Sequence, residues 1–168
     1  AVLDVISGTV NPSGKLAETW STPEAPCASQ SYFPGKQMTC EYREGLYVGY
    51  RYFEKAEKPV EFPFGFGLSY TKFEYSDISC DEDGVSFTIA NVGDYDGAEI
   101  AQLYVGKEDS SIFRPVKELK GFKKVFLKKG ESCKVTIPFD DKTFRYFDVE
   151  SNKWEVEGGE YMLYVCAR

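Results

Sequence analysis

Histidine is absent from all 168 residues. That removes the Ser-His-Asp and Cys-His hydrolase layouts, the HExxH metalloproteases and every His-ligated metal site together. No apolar run approaches the roughly 18 residues needed to span a bilayer, so no membrane segment is expected and the chain reads as soluble. Positive charge is in the minority: 20 Lys+Arg stand against 27 Asp+Glu, a net charge of -7. This balance argues against a general affinity for nucleic acid or an anionic membrane. The five cysteines (Cys27, Cys40, Cys80, Cys133, Cys166) are odd in number and scattered. They form no CxxC pair of the zinc or redox kind. Reduced, mostly buried thiols are the ordinary expectation, and a Cys27 to Cys40 loop disulfide stays open for a secreted protein. The single Asn-x-Ser triplet, Asn11-Pro12-Ser13, carries the central proline that disqualifies it as a glycosylation acceptor. The compartment is therefore open between a bacterial cytoplasm and secretion.

The sequence has neither an initiating Met nor a signal peptide, and it opens on AVLDVISG, residues 1–8, an amphipathic stub without an N-cap. The stub reads as the tail of a helix and the chain as a fragment.

Aromatics are plentiful, at 16% of the chain with 13 Phe and 12 Tyr. Such a composition favours pleated sheets and is foreign to disordered chains. From about Thr71 onward, strands and turns alternate at the spacing of an antiparallel sandwich. Strands are expected at Phe73 to Ser79, Val85 to Ala90, Ala98 to Gly106, Leu119 to Leu127, Ser132 to Phe139 and Tyr161 to Ala167. Val85, Phe87 and Ile89 share one face of theirs, the mark of a half-buried strand. Ala98 to Gly106 is apolar on both faces about its centre, which places it inside a sheet rather than at an edge.

The first 70 residues read differently. After the helix end come residues 11–14 (NPSG), a short extended stretch Leu16 to Trp20, and a Pro/Ser/Cys-rich loop from Ser21 to Cys40. Glu44 to Phe53 is expected as a strand, followed by a turn-rich Phe62 to Ser69. A loop of such length covers something functional or rests on a neighbouring domain.

With histidine gone, carboxylates are the only catalytic stock, and glycoside hydrolysis is the chemistry that needs two of them. Glu41 and Glu44 flank Tyr42-Arg43 at the mouth of an aromatic stretch and are the best local pair, although loop or interdomain contacts explain them as well. Asp81-Glu82-Asp83 offers hard oxygen ligands for calcium but lacks the EF-hand spacing, and a solvated hairpin turn is the plainer reading. Lys117, Lys120, Lys123, Lys124, Lys128, Lys129 and Lys134 face only Glu118 and Glu131 within 18 residues. They form a seam for an acidic partner or polyanion, or else they guard a strand edge. Tyr47, Tyr50, Tyr52, Phe53, Phe62, Phe64 and Phe66 make an aromatic band that suits sugar stacking or, more simply, packing. Phe64-Gly65-Phe66-Gly67 completes no phosphate loop.

Together, residues 4–8 (DVISG), 11–16 (NPSGKL), 42–53 (YREGLYVGYRYF) and 62–70 (FPFGFGLSY) resemble the glycoside hydrolase family 3 β-glucosidases. Residues 91–94 (NVGD), 97–105 (GAEIAQLYV), 114–125 (RPVKELKGFKKV) and 158–161 (GGEY) resemble that family's C-terminal fibronectin type III-like domain. The resemblance covers essentially the whole chain. It implies a mainly β fold: residues 71–168 as an immunoglobulin-like (fibronectin type III-like) antiparallel β-sandwich, preceded by residues 1–70 as the C-terminal remnant of an α/β sandwich domain with its linker.

In that family a (β/α)8 barrel carries a nucleophilic Asp and the α/β sandwich supplies an acid/base Glu. Neither has a counterpart here, since Trp20 follows Thr19, Trp154 follows Lys153, and the acid/base Glu is expected upstream of Ala1. No catalytic, cofactor-binding or metal residue carries over, and no cofactor is implied. The expected partners are the barrel and the rest of the α/β sandwich, with an oligosaccharide or glucoside as the whole enzyme's substrate. A β-xylosidase of the same family, or a free-standing carbohydrate- or protein-binding accessory module, are the alternatives. Self-association is expected once the aromatic segment is severed from its neighbours.

Overall fold

The computed structural model describes residues 1–35 and 38–167. Lys36, Gln37 and Arg168, part of the loop and the last residue, lie outside the described residues. In chain order the elements are α1 (Val2–Ile6), β1 (Trp20–Ser21), a short 3-10 turn (Ala28–Ser31), α2 (Tyr50–Lys55), β2 (Val60–Phe62), β3 (Phe73–Cys80), β4 (Gly84–Asn91), β5 (Gly97–Gly106), β6 (Glu118–Leu127), β7 (Ser132–Pro138), β8 (Arg145–Asp148), β9 (Lys153–Val156) and β10 (Met162–Cys166).

Two three-stranded antiparallel sheets, ordered β3-β4-β7 and β10-β5-β6, face each other. The period-2 pattern of β4 turns Val85, Phe87 and Ile89 inward. Val135 and Ile137 of β7, Ala101 and Leu103 of β5, and Leu127 of β6 meet them to form the core. Phe87 and Ile89 are fully buried, and each such side chain contributes about 1.5–3 kcal/mol relative to exposure. The sheets approach closely where β6 has Gly121: a Cβ there would lie 2.5 Å from Ile137 Cγ2, so only glycine lets the two strands meet.

The six strands expected from alternation all form, with ends displaced by a residue or two. The expected strand Glu44 to Phe53 does not form. A turn occupies its first half and α2 its end, beginning from Gly49 at a φ of 55°. Tyr47, Tyr50 and Phe53 recur at every third residue, so the aromatics follow a helical period that competes with the apparent alternation. The β8–β9 hairpin was not anticipated. Its sides mix Arg145 and Phe147 with Tyr146 and Asp148, and β9 is exposed along its whole length, so it lacks the inward alternation that marks a core strand.

The thiols also depart from expectation. Cys27, Cys40, Cys80 and Cys133 are free, the first three exposed and the fourth half-buried, while Cys166 sits half-buried in β10. Their mostly buried character is thus corrected. The Cys27 to Cys40 disulfide is not formed.

Candidate functional site

The first 70 residues lie against the outer face of β5, and this seam gathers most of the long-range polar contacts. Its upper end is organised by Asn11. The Asn11 amide donates from Nδ2 to the Asp96 carbonyl at 2.9 Å, and its Oδ1 accepts from Tyr70 N at 2.9 Å and Ser69 Oγ at 3.1 Å. One side chain thereby joins the NPSG turn, the end of the FGFGLSY segment and the turn before β5. Lys15 then reaches Glu99 of β5 at 3.0 Å, with side-chain exposures of only 16% and 9%. Leu16 and the Gly65–Phe66 stretch exchange backbone bonds at 2.8 Å each, Leu16 N to Phe66 O and Gly65 N to Leu16 O. The expected extended stretch Leu16 to Trp20 thus finds its partner and ends in β1, which pairs with β2.

Gly65 has a φ of 81°, and a Cβ there would stand 2.7 Å from Gln102 Oε1. Both facts require glycine, and they bring the FGFG backbone directly onto the Gln102 carboxamide. Gln102 is itself committed, accepting from Tyr104 Oη at 2.6 Å and donating to the Ala167 carbonyl at 2.8 Å. Burial pushes the Tyr104 phenol well above its ordinary pKa, so it stays a neutral donor.

Below this, α2 docks through aromatics. Tyr50 packs on Phe64 at 4.8 Å and edge-on to Tyr104 at 6.0 Å, and its hydroxyl accepts from Leu119 N at 2.9 Å. Lys117 bridges Glu54 of α2 at 3.1 Å and lies over the Tyr104 ring, while Arg51 approaches Glu118 at 3.5 Å. The aromatic band is therefore a packing seam. A cleft of about 340 Å³ remains between α2 and the sheet, bordered by Tyr50, Glu54, Phe64, Tyr104 and Lys117.

The other sequence candidates separate. Glu41 is exposed and bound to its neighbour Arg43, whereas Glu44 is half-buried with its carbonyl accepting from Tyr47 N. Asp81 Oδ1 accepts from Asp83 N and Gly84 N at 3.0 Å each, which is the work of a hairpin turn. No group of three metal-ligating side chains gathers among the described residues. The lysine seam divides: Lys117, Lys120 and Lys129 hold Glu54, Glu118 and Asp94, and Lys123 and Lys124 stand exposed on β6.

Sequence reasoning did not single out Glu157. Its carboxylate accepts from Ser111 N at 2.6 Å, Ser110 Oγ at 2.7 Å and Ser111 Oγ at 2.8 Å, and lies 3.3 Å from Arg114. These donors, the Ser111 backbone first, hold its pKa down to about 2. The Thr143 and Ser151 hydroxyls and Lys129 likewise draw Asp140, Asp148 and Asp94 downward. Every carboxylate that moves, moves toward the anion, and a general acid needs the opposite shift. The arrangement is suited to fastening segments together rather than to proton transfer.

Residues 99–168 match the fibronectin type III-like domain. Over 98% of its length the chain is 49% identical to thermostable β-glucosidase B of Acetivibrio thermocellus, and it is 44% identical to an exo-α-(1→6)-L-arabinopyranosidase of Bifidobacterium breve. It covers 23% and 22% of those proteins respectively. The crystal structure of a GH3 β-glucosidase from Bifidobacterium adolescentis superimposes with a TM-score of 0.92 at 42% identity, over 98% of this chain and 25% of that one. The chain thus spans about a quarter of the length of the relatives it matches. From Asn11 at one end of the seam to Ala167 at the other, it belongs to glycoside hydrolase family 3 and corresponds to the C-terminal part of that family's β-glucosidases.

Proposed function

We propose that this chain is the C-terminal structural portion of a retaining β-glucosidase, contributing scaffold and no catalytic carboxylate of its own. The observation that carries the reading is the superposition of nearly the whole chain on one quarter of a GH3 β-glucosidase. In this reading residues 1–70 are the end of the α/β sandwich domain with its linker, and residues 71–168 are the fibronectin type III-like sandwich. The seam through Asn11, Lys15, Tyr50 and Gly65 holds the two together. A (β/α)8 barrel and the rest of the α/β sandwich are the partners, and they would cover the exposed Val2, Leu3 and Ile6 of α1 together with Tyr42 and Leu46. An isolated chain carrying those side chains in water would self-associate.

The whole enzyme would act on a terminal β-glucoside by double displacement, its acid/base Glu protonating the leaving oxygen and then activating water. The test is turnover of an aryl β-glucoside. The chain alone is expected to give no rate above buffer. Turnover that survives purification and saturates with substrate would overturn the assignment of a scaffold role.

A further inference from the structure

Strand β6 carries more than its place in the sandwich requires. It pairs with β5 on one side and, among the described residues, with no strand on the other. Past the irregularity at its start, the register sends Val125 and Leu127 toward the core and Phe122, Lys124 and Phe126 to the opposite face. Lys123 points to the core side yet is exposed at the rim. An inward-pointing charge on an edge strand is a usual guard against unwanted pairing, and this accounts for Lys123.

The guard does not account for Phe122 and Phe126. They stand 67% and 63% exposed on either side of Lys124. Their cross-strand neighbours on β5 are Gln102, Ile100 and Ala98, so no acid lies beside Lys124 there. Among the described residues neither Lys123 nor Lys124 has an ion-pair partner, whereas Lys117, Lys120 and Lys129 each have one.

We propose that the free edge of β6 accepts an extended acidic polypeptide segment, with acidic and apolar residues alternating, as a fourth strand on the β10-β5-β6 sheet. Backbone pairing along the edge would supply affinity and the alternating side chains selectivity. Opposed residues of paired strands have Cβ atoms about 4.5–5.5 Å apart, close enough for acids to meet Lys124 while apolar residues cover Phe122 and Phe126. A second copy of β6 does not fit the edge, because antiparallel pairing sets like lysines against one another. The lysines that exclude self-pairing are thus the ones that select an acidic strand.

The test uses the whole chain and a labelled nine-residue peptide of alternating glutamate and valine, followed by fluorescence anisotropy. Saturable binding is expected. It should weaken about tenfold in Lys123→Glu/Lys124→Glu and in Phe122→Ser/Phe126→Ser, since each pair of changes removes two cross-strand contacts. These side chains are exposed, so circular dichroism should report the same fold for each variant. N-methylation of alternate peptide residues blocks one edge of the peptide, and it should abolish binding for one of the two alternations and spare it for the other. Binding that tolerates both alternations, or that polyglutamate reproduces at equal strength, would be simple charge attraction and overturns the proposal. So does the absence of saturation up to about 1 mM peptide.

Discussion

Replacing Asn91 by Asp should convert the best-satisfied polar group of the sandwich into a pH-dependent defect. Asn91 ends β4 and is 1% exposed. Its Oδ1 accepts from Thr71 Oγ1 at 2.6 Å and Gly93 N at 3.2 Å, and its Nδ2 donates to the carbonyls of Tyr95 at 2.8 Å and Leu127 at 3.1 Å. It therefore ties the entry to β3, the turn before β5 and the end of β6 at one point. Asp has the same shape but, when ionised, turns an acceptor toward two carbonyl oxygens. Burial and those carbonyls both favour the neutral acid, and fully buried carboxyls rise by roughly 3–5 pKa units. A rise from about 3.9 to about 7 costs roughly 4 kcal/mol at neutral pH, at 1.36 kcal/mol per unit. The sign is that of a raised folded pKa on an acid: the penalty is absent below about pH 4, grows through the window from about 4 to 7, and is complete above it. Asn91→Ala leaves the two carbonyls unpaired instead and should cost about 2–4 kcal/mol at any pH, from about 1–3 kcal/mol per buried orphan. Urea unfolding followed by circular dichroism, with each variant compared with wild type at the same pH, distinguishes them. An Asn91→Asp cost below about 1 kcal/mol at pH 7, or one equal at pH 5 and pH 7, would refute the reasoning.

Two further outcomes are expected. Lys15→Met should leave Glu99 buried without its cation and destabilise the chain by about 3 kcal/mol, the low end for breaking a buried pair; urea unfolding measures the loss, and limited proteolysis should cut first before residue 20. Glu157, with a folded pKa of about 2 against an ordinary 4.5, contributes stability that is present above pH 4.5 and is lost as pH falls toward 2. Glu157→Gln should be less stable than wild type at pH 6, and the gap should narrow by pH 2.5; a gap that stays constant would show that the carboxylate's charge is not what its serine donors hold.

The sandwich was legible because its signal is local. Val85, Phe87 and Ile89 declare an inward face at period 2, and β5, apolar on both sides, declares a central strand. What stayed illegible depends on contacts between distant residues or on competing periods. Tyr47, Tyr50 and Phe53 sit in a stretch that alternates like a strand, and only docking against Phe64 and Tyr104 selects the helical period. Lys15 and Glu99 are 84 positions apart, and nothing near either announces the other. Glu157 looks like any surface glutamate until the Ser110–Ser111 turn folds onto it. The motif resemblance pointed to the right segments, the NPSG turn and the FGFG stretch, without saying that their task is to bind β5.

That task explains why β5 is buried on both faces although it belongs to a two-layer sandwich. Its inward side chains, Ala101 and Leu103, need the opposite sheet. Gln102 and Tyr104, on the other face, are 3% and 2% exposed and need the first 70 residues just as much. Stripped of that cover, the sandwich would present a buried-type phenol and carboxamide to water beside the ring positions vacated by Tyr50 and Phe64. Stripped of the sandwich, residues 1–70 would keep two short helices and a two-stranded ribbon, and a two-stranded ribbon is marginal at best in water. The two stretches should therefore unfold as one cooperative unit, with the seam from Asn11 to Tyr50 as the part of the chain that neither can form alone.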